Sequence, residues 1–116
     1  MVVKRIKQSA RFSQATICNN TVYITGQVAL DNPTASVAIQ TNEVLTRINN
    51  ILVEAGTDKS GILFANIWLR SLSDYDEMNK VWDEWVLSEA APARACVQAE
   101  LVSTFQIEIS VVATLI

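Results

Sequence analysis

The sequence predicts one mixed α/β (α+β) domain over residues 1–116, with the element order β-β-β-α-β-α-β-β. Short segments rich in β-branched and aromatic residues open the chain, and amphipathic stretches alternate with long apolar runs after them. Of the 116 residues, half are hydrophobic and 18% are charged, which is enough for one compact core. Because two helices can cover only one face of such a sheet, we expect the other face to meet solvent or another subunit.

Three short strands are predicted before the first helix, at residues 2–6, 15–18 and 21–25. The pair Asn19 and Asn20 separates the second strand from the third, since asparagine tolerates the left-handed backbone angles of a turn. The stretch TVYIT at 21–25 has the β-branched and aromatic composition of a strand, and Gly26 ends it. The stretch DNPT at 31–34 is typical of a loop.

Two amphipathic helices are predicted, at about 36–55 and about 73–88. Gly56 ends the first, and Ser73 or Asp74 caps the second. Apolar residues at three-and-four spacing define one stripe on each helix. The stripes consist of Val37, Val44, Leu45, Ile48, Ile51, Leu52 and Ala55 in the first helix, and of Tyr75, Met78, Trp82, Trp85 and Val86 in the second.

Three further strands are predicted at 62–70, 93–101 and 105–115. The continuous apolar run at 62–70 is typical of a strand that is buried on both faces. The last two strands are predicted to form a hairpin that turns near Ser103. In the strand at 93–101, side-chain alternation places Arg94, Cys96, Gln98 and Glu100 on one face and an aliphatic face, expected to be core, on the other.

The composition excludes several classes of function. The chain has no histidine, so no serine or cysteine nucleophile can be activated by one, and its two cysteines and three glycines make a zinc site or a phosphate-binding glycine loop implausible. The net charge of −3 argues against a nucleic-acid surface. Without a signal-peptide pattern or an apolar run of roughly 20 residues, we expect a cytoplasmic protein that spans no membrane.

Five stretches carry a resemblance to a known family. They are YITGQV at 23–28, EAG at 54–56, DYDEMNKVWDEW at 74–85, PARACVQAEL at 92–101 and FQIEISVVA at 105–113. In this order they resemble the RidA/YjgF family of reactive-intermediate deaminases, also called the endoribonuclease L-PSP family, in a divergent branch.

The resemblance implies a chorismate-mutase-like fold that assembles into a homotrimer with sites in the clefts between subunits. It implies hydrolysis of reactive enamines and imines, such as 2-iminopropanoate and 2-iminobutanoate, to 2-keto acids and ammonia, without a cofactor or metal. In this family such intermediates come from pyridoxal-phosphate enzymes that act on serine or threonine.

The resemblance assigns the two central roles to Arg94 and Glu108. Arg94 matches the family arginine that clamps the substrate carboxylate, for which a guanidinium fork is well suited. Glu108 matches the glutamate that orients the hydrolytic water. Spacing alone favours an exposed sheet residue or an intersubunit salt bridge for Arg94, and the match of the flanking residues reverses that preference. Glu108 is equally compatible with a polar residue on an exposed or interfacial strand.

Further site residues follow from the same resemblance. Cys96 matches the family position beside that arginine, where we expect it to form part of the cleft wall. The alternative is that it is simply a small buried hydrophobic residue, as free cysteines often are. Gly26, preceded by Thr25, matches the glycine that lets substrate approach the backbone, and an ordinary strand end is the alternative. Asn79 matches a family asparagine, and Phe12 stands where the archetype has a tyrosine.

Two substitutions relative to the archetype bear on activity. Phe12 lacks the tyrosine hydroxyl, although its ring can still form an apolar lid, and Thr25 replaces a usual serine while keeping a hydroxyl. Three functions therefore stay open: an imine deaminase, a non-catalytic trimer that binds small carboxylates such as 2-keto acids, and a ribonuclease or translation inhibitor. The acidic net charge, the absence of histidine and the absence of a basic stripe argue against the third function, since RNA binding rests largely on phosphate contacts.

The predicted hairpin suggests how the site is shared. If the turn lies near Ser103, Glu108 is opposite Gln98, and Arg94 lies about 13 Å further along the same sheet face. This is too far for one small substrate, so we expect Arg94 of one subunit to meet Glu108 of its neighbour.

Overall fold

The computed structural model describes residues 2–116 and contains a mixed sheet with two α-helices. The strands are β1 (Lys4–Ile6), β2 (Ala15–Cys18), β3 (Thr21–Gln27), β4 (Ile62–Leu69), β5 (Ala93–Gln98) and β6 (Ile107–Thr114); the helices are α1 (Val37–Ala55) and α2 (Tyr75–Trp85). Short 3₁₀ turns lie at Lys59–Gly61, Leu72–Asp74 and Ser88–Ala90. The predicted order of elements is confirmed, and the second helix ends three residues earlier than expected.

The six strands have the order β1-β2-β3-β6-β4-β5. The predicted hairpin between the last two strands is wrong, because β4 lies between them. β5 pairs in parallel with β4, and β6 pairs antiparallel with both β3 and β4. A parallel pair needs a long crossover, which α2 provides, so β4, α2 and β5 form a βαβ unit rather than two separate pieces.

Both helices pack on one face of the sheet, as predicted. Alternate residues of β6, from Ile107 to Ala113, are buried against them. The core also contains inward residues of the neighbouring strands and the stripe of α1: Val22, Ile24, Val44, Leu45, Ile48, Leu52, Ala65, Ile67, Leu69, Ile107, Ile109, Val111 and Ala113.

The opposite face of the sheet, here called the open face, is not covered by any other described part of the chain. β4 was predicted to be buried on both faces, and this is wrong: Leu63 and Phe64 are 52% and 37% exposed. The aliphatic face of β5 was predicted to be core, yet Val97 on the open face is 52% exposed. In both cases the reason is that the helices cover one face only.

Caps fix the ends of α1. The Ser36 hydroxyl accepts a hydrogen bond from the backbone N–H of Ile39, and Gly56 adopts a left-handed φ of 95° that lets its N–H bond to the last turn. Gly56 therefore ends the helix where the sequence predicted.

Arg70, directly after β4, holds the connection between β5 and β6. Its Nε donates to the carbonyl of Phe105 at 2.8 Å, and its Nη2 donates to the carbonyls of Leu101 and Ser103 at 2.7 and 2.9 Å. Ser103 has a positive φ of 54°, which marks the tight turn of this segment. Arg70 thus ties this connection to the end of β4.

No helix within residues 2–116 is both long and apolar enough to cross a membrane.

Candidate functional site

Arg94 lies on β5, the edge strand, and its side chain extends toward α2. It pairs with Ala65 of β4, whose side chain is buried under the helices, so Arg94 occupies the helix-covered face. Its Nη1 donates to Asn79 Oδ1 at 2.8 Å and its Nη2 donates to the hydroxyl of Tyr75 at 3.1 Å. The guanidinium carbon lies 5.2 Å from the centre of the Trp82 ring, at cation–π distance.

The Arg94 guanidinium is half-buried and has no acidic partner in the described part of the chain. The ion pairs there involve Lys7 and Arg47, not Arg94. A half-buried guanidinium that is braced by neutral groups keeps its charge available for an external anion. This arrangement is compatible with the predicted carboxylate clamp and differs from a freely exposed surface arginine.

Cys96 follows Arg94 on the same face of β5 and packs against the core beside Ile67. Burial raises the pKa of its thiol, and the nearby positive charge of Arg94 opposes this only in part. The thiol is therefore neutral at physiological pH, which suits a wall of a cavity better than a nucleophile.

Glu108 lies on β6 and points to the open face, because its neighbours Ile107 and Ile109 are fully buried under the helices. It is half-buried, and burial raises the pKa of its carboxyl group above the ordinary value of 4.5. A carboxylate with a raised pKa is a stronger proton acceptor and becomes a proton donor closer to neutral pH.

Gly26 lies directly against the Glu108 carboxylate. The register between β3 and β6 is interrupted between Ile24 and Gln27, so Thr25 and Gly26 form an irregularity in the strand. A Cβ built on Gly26 would overlap Glu108 Oε2 and would lie 2.8 Å from its Cδ. The absence of a side chain at Gly26 therefore makes the space that the carboxylate occupies.

Phe12 lies in the connection between β1 and β2, at the opposite edge of the sheet from β5. Its side chain is 53% exposed, and the Ser9 hydroxyl accepts a hydrogen bond from its backbone N–H. Within one protomer Phe12 is therefore remote from Arg94.

Arg94 and Glu108 do not converge in one protomer. They were predicted to share a sheet face, and this is wrong: Arg94 points to the helices and Glu108 to the open face. Arg94 is level with Ala65 and Glu108 with Trp68 of the intervening strand. Strand geometry then separates their Cα atoms by roughly 14 Å. The structure thus divides the predicted residues into one group around Arg94, with Asn79 and Cys96, and another around Glu108, with Gly26 and Thr25.

Two residues of the Arg94 group were not among the predicted site residues. Tyr75 and Trp82 were assigned to the apolar stripe of the second helix, whereas both contact the guanidinium. A usable signal was present, since Tyr75, Asn79 and Trp82 are spaced four and three residues apart and so share one helix face.

Among residues 2–116, no group of three or more histidine, cysteine or acidic side chains is arranged to hold a metal ion.

Comparison with known proteins decides the family. The family model described as Endoribonuclease L-PSP matches residues 2–115. A RutC family protein of Haemophilus influenzae is 41% identical over 115 residues, which cover 98% of this chain and 99% of that protein. The chain belongs to the RidA/YjgF family.

The fold is shared with solved members of the RidA/YjgF family. A crystal structure of a YjgF family member from Neisseria meningitidis superposes with a TM-score of 0.95 at 38% identity, covering 100% of this chain and 97% of that one. A 3-aminoacrylate deaminase, RutC, of Acinetobacter baylyi is 39% identical over 98 residues, covering 80% of this chain and 77% of that protein. The family thus includes a protein that is named as a deaminase of an enamine.

Proposed function

We propose that the protein hydrolyses reactive 2-imino acids, in equilibrium with their enamine tautomers, to 2-keto acids and ammonia. In this proposal it acts as a homotrimer, and each site combines Arg94 of one subunit with Glu108 of its neighbour. The observation that carries the proposal is the braced guanidinium of Arg94, which is half-buried beside neutral groups and has no acidic partner in the described chain.

Substrate binding follows from the chemistry of Arg94. A 2-imino acid carries one carboxylate next to the reacting carbon, and a guanidinium can hold both carboxylate oxygens through parallel hydrogen bonds. Asn79 accepts one hydrogen bond from Nη1 of Arg94 and Tyr75 accepts one from Nη2, so the remaining N–H groups of the guanidinium are available to the carboxylate. Anchoring the carboxylate fixes the position of the adjacent C=N carbon.

Glu108 supplies the proton transfers of the hydrolysis. Water adds to the C=N carbon while Glu108 removes one proton from the water and passes it to nitrogen, which gives a carbinolamine. Glu108 then removes the proton of the new hydroxyl group and passes it to the same nitrogen, so that the C–N bond breaks, ammonia leaves, and the water oxygen becomes the keto oxygen. Because burial raises the pKa of Glu108, one group can serve as both base and acid.

The shared site is supported by the separation of the two residues. They point to opposite faces of one sheet at roughly 14 Å between Cα atoms, so a substrate with a three- or four-carbon chain cannot contact both in one protomer. The open face, with exposed Leu63, Phe64 and Val97, offers apolar surface for a partner subunit.

The comparison with a 3-aminoacrylate deaminase supports the reaction class. The compound in that name is an enamine that also carries a carboxylate. It therefore has a carboxylate that Arg94 would bind and a carbon–nitrogen group on which Glu108 would act. A 2-imino acid keeps the same features with the nitrogen one carbon closer to the carboxylate.

A coupled assay tests the proposal. Threonine dehydratase generates 2-iminobutanoate in situ, and the rate of 2-oxobutanoate formation is measured with and without this protein. We expect the protein to accelerate the reaction and Arg94→Ala to abolish the acceleration. Arg5→Ala, which removes an exposed arginine of β1, is the matched control and should act like the wild type. An unaccelerated reaction with the wild-type protein would contradict the proposal.

A non-catalytic binding trimer is the alternative that Phe12 favours, because the family tyrosine hydroxyl is missing there. In that case pyruvate would raise the melting temperature of the wild type but not of Arg94→Ala, and no turnover would be seen.

A further inference from the structure

Tyr75 is the first residue of α2, and its hydroxyl oxygen lies 3.1 Å from Arg94 Nη2. Its side chain is 40% exposed, so the phenol is accessible from outside the protomer. Its ring centre lies 5.8 Å from the guanidinium carbon, which is also 5.2 Å from the centre of the Trp82 ring. Ring and hydroxyl thus meet the same charged group from one helix.

The direction of the hydrogen bonds follows from the chemistry of arginine. A guanidinium has N–H donors only, so every polar atom that bonds to it must be an acceptor. The Tyr75 oxygen therefore accepts from Nη2, and the phenolic proton is directed elsewhere. In the same way Asn79 turns its Oδ1 toward Nη1, which leaves its NH₂ group pointing away from Arg94.

Arg94 thereby organises its neighbours into a cluster of donors. The groups that remain unused are the other guanidinium N–H groups, the phenolic O–H of Tyr75 and the amide N–H groups of Asn79. No carboxylate within residues 2–116 forms an ion pair with this cluster. The chemical group complementary to such a set is one that only accepts hydrogen bonds and carries negative charge, which describes a carboxylate.

We propose that Tyr75 is a further substrate-binding residue, whose hydroxyl donates a hydrogen bond to the same carboxylate that Arg94 holds. This inference rests on the proposed function, because it concerns the same substrate. Accepting a bond from the guanidinium polarises the phenol and makes its O–H a stronger donor than an isolated tyrosine. The bond forms on binding and persists through the reaction, since the carboxylate does not react.

The test is binding of pyruvate, measured by titration calorimetry, to the wild type, Tyr75→Phe and Arg94→Ala. Tyr75→Phe keeps the ring against Arg94 and removes only the hydroxyl, so the fold should be retained. We expect its Kd for pyruvate to rise about tenfold, the scale of one hydrogen bond to a charged group. Thr46→Val removes an exposed hydroxyl of α1 that is not among the residues assigned to the site, and it should bind like the wild type. Methyl pyruvate, which lacks the carboxylate charge, should not bind.

A kinetic measurement separates binding from a structural role. With 2-iminobutanoate, Tyr75→Phe should raise KM about tenfold while kcat stays within about twofold, because the lost contact is the same in the ground and transition states. A fall in kcat at unchanged KM would overturn the inference.

The outcomes also separate this inference from the proposed function. If the wild type binds pyruvate but shows no turnover, the catalytic proposal fails and the Kd of Tyr75→Phe still decides the role of Tyr75. If Tyr75→Phe binds like the wild type while Arg94→Ala does not bind, the inference is wrong and the Arg94 clamp stands. If the wild type does not bind pyruvate, the role of Tyr75 and the Arg94 clamp are both wrong.

Discussion

Gly26→Ala should inactivate the protein without unfolding it. The new methyl carbon would lie 2.8 Å from Glu108 Cδ, whereas an ordinary contact is at least 3.4 Å, so Cδ must withdraw by about 0.6 Å and the overlapped Oε2 by more. A displacement of about 1 Å of a reacting group can cost about a hundredfold in rate. We therefore expect kcat for 2-iminobutanoate to fall on the order of a hundredfold.

The fold should tolerate this change because the displaced atoms are the end of a flexible side chain. Alanine also restricts the unfolded chain, which offsets part of any loss, so the free energy of unfolding should change by less than about 1 kcal/mol. Gly56→Ala is the matched control. Its positive φ of 95° strains an alanine, but no atom would contact the new methyl, so stability should fall by about 1 kcal/mol while kcat stays at the wild-type value.

The coupled assay and urea denaturation are run on both variants and on Glu108→Ala with and without Gly26→Ala. If Gly26 acts through the carboxylate, Gly26→Ala should add nothing once Glu108 is alanine. Wild-type kcat in Gly26→Ala would refute the reasoning, and so would a further loss in the double variant.

Three other changes test separate parts of the site and fold. Cys96→Ala should keep kcat within about threefold, because the neutral thiol is not a nucleophile; loss of turnover would contradict this. Burial raises the pKa of Glu108, so its neutral form stabilises the fold below about pH 4.5 and that contribution is lost as the pH rises through the raised pKa. Glu108→Gln should therefore gain melting temperature relative to the wild type between about pH 4 and about pH 7, and a constant difference would be evidence against this. Arg70→Ala should lower the free energy of unfolding in urea by about 2 kcal/mol, since three hydrogen bonds to the connection between β5 and β6 are lost; an unchanged midpoint would show that this connection needs no clamp.

Local patterns predicted the order of the elements and the buried stripe of α1 correctly. The stripe of α1 and the stop at Gly56 each reflect a period or a cap that nearby residues set by themselves. Such features depend only on residues within one or two helical turns along the chain, so they can be recognised from the sequence alone.

Strand pairing and sheet faces were predicted less well. The chain order of β5 and β6 favours a hairpin, but their partners are chosen by the crossover through α2, which no local pattern reports. The aliphatic residues of β5 looked like core because burial was inferred from composition, whereas Val97 is on the face that the helices leave open.

The resemblance supplied candidate site residues, but it did not predict how the structure groups them. Arg94 and Asn79 were both predicted, yet their contact, and the part of Tyr75 in it, depends on the packing of α2 over β5. The position of Glu108 against Gly26 likewise depends on the register of β3 with β6. Such long-range contacts are decided by tertiary packing.

Mixed assemblies of two variants test the proposed shared site most directly. Arg94→Ala and Glu108→Gln, each expected to be inactive alone, are unfolded together in equal amounts and refolded, and turnover of 2-iminobutanoate is measured. If each site takes Arg94 and Glu108 from different subunits, about a quarter of the sites regain both wild-type residues, and about a quarter of wild-type activity should return. If the refolded mixture remains as inactive as the separate variants, the two residues do not meet across a subunit boundary and the proposed site is wrong.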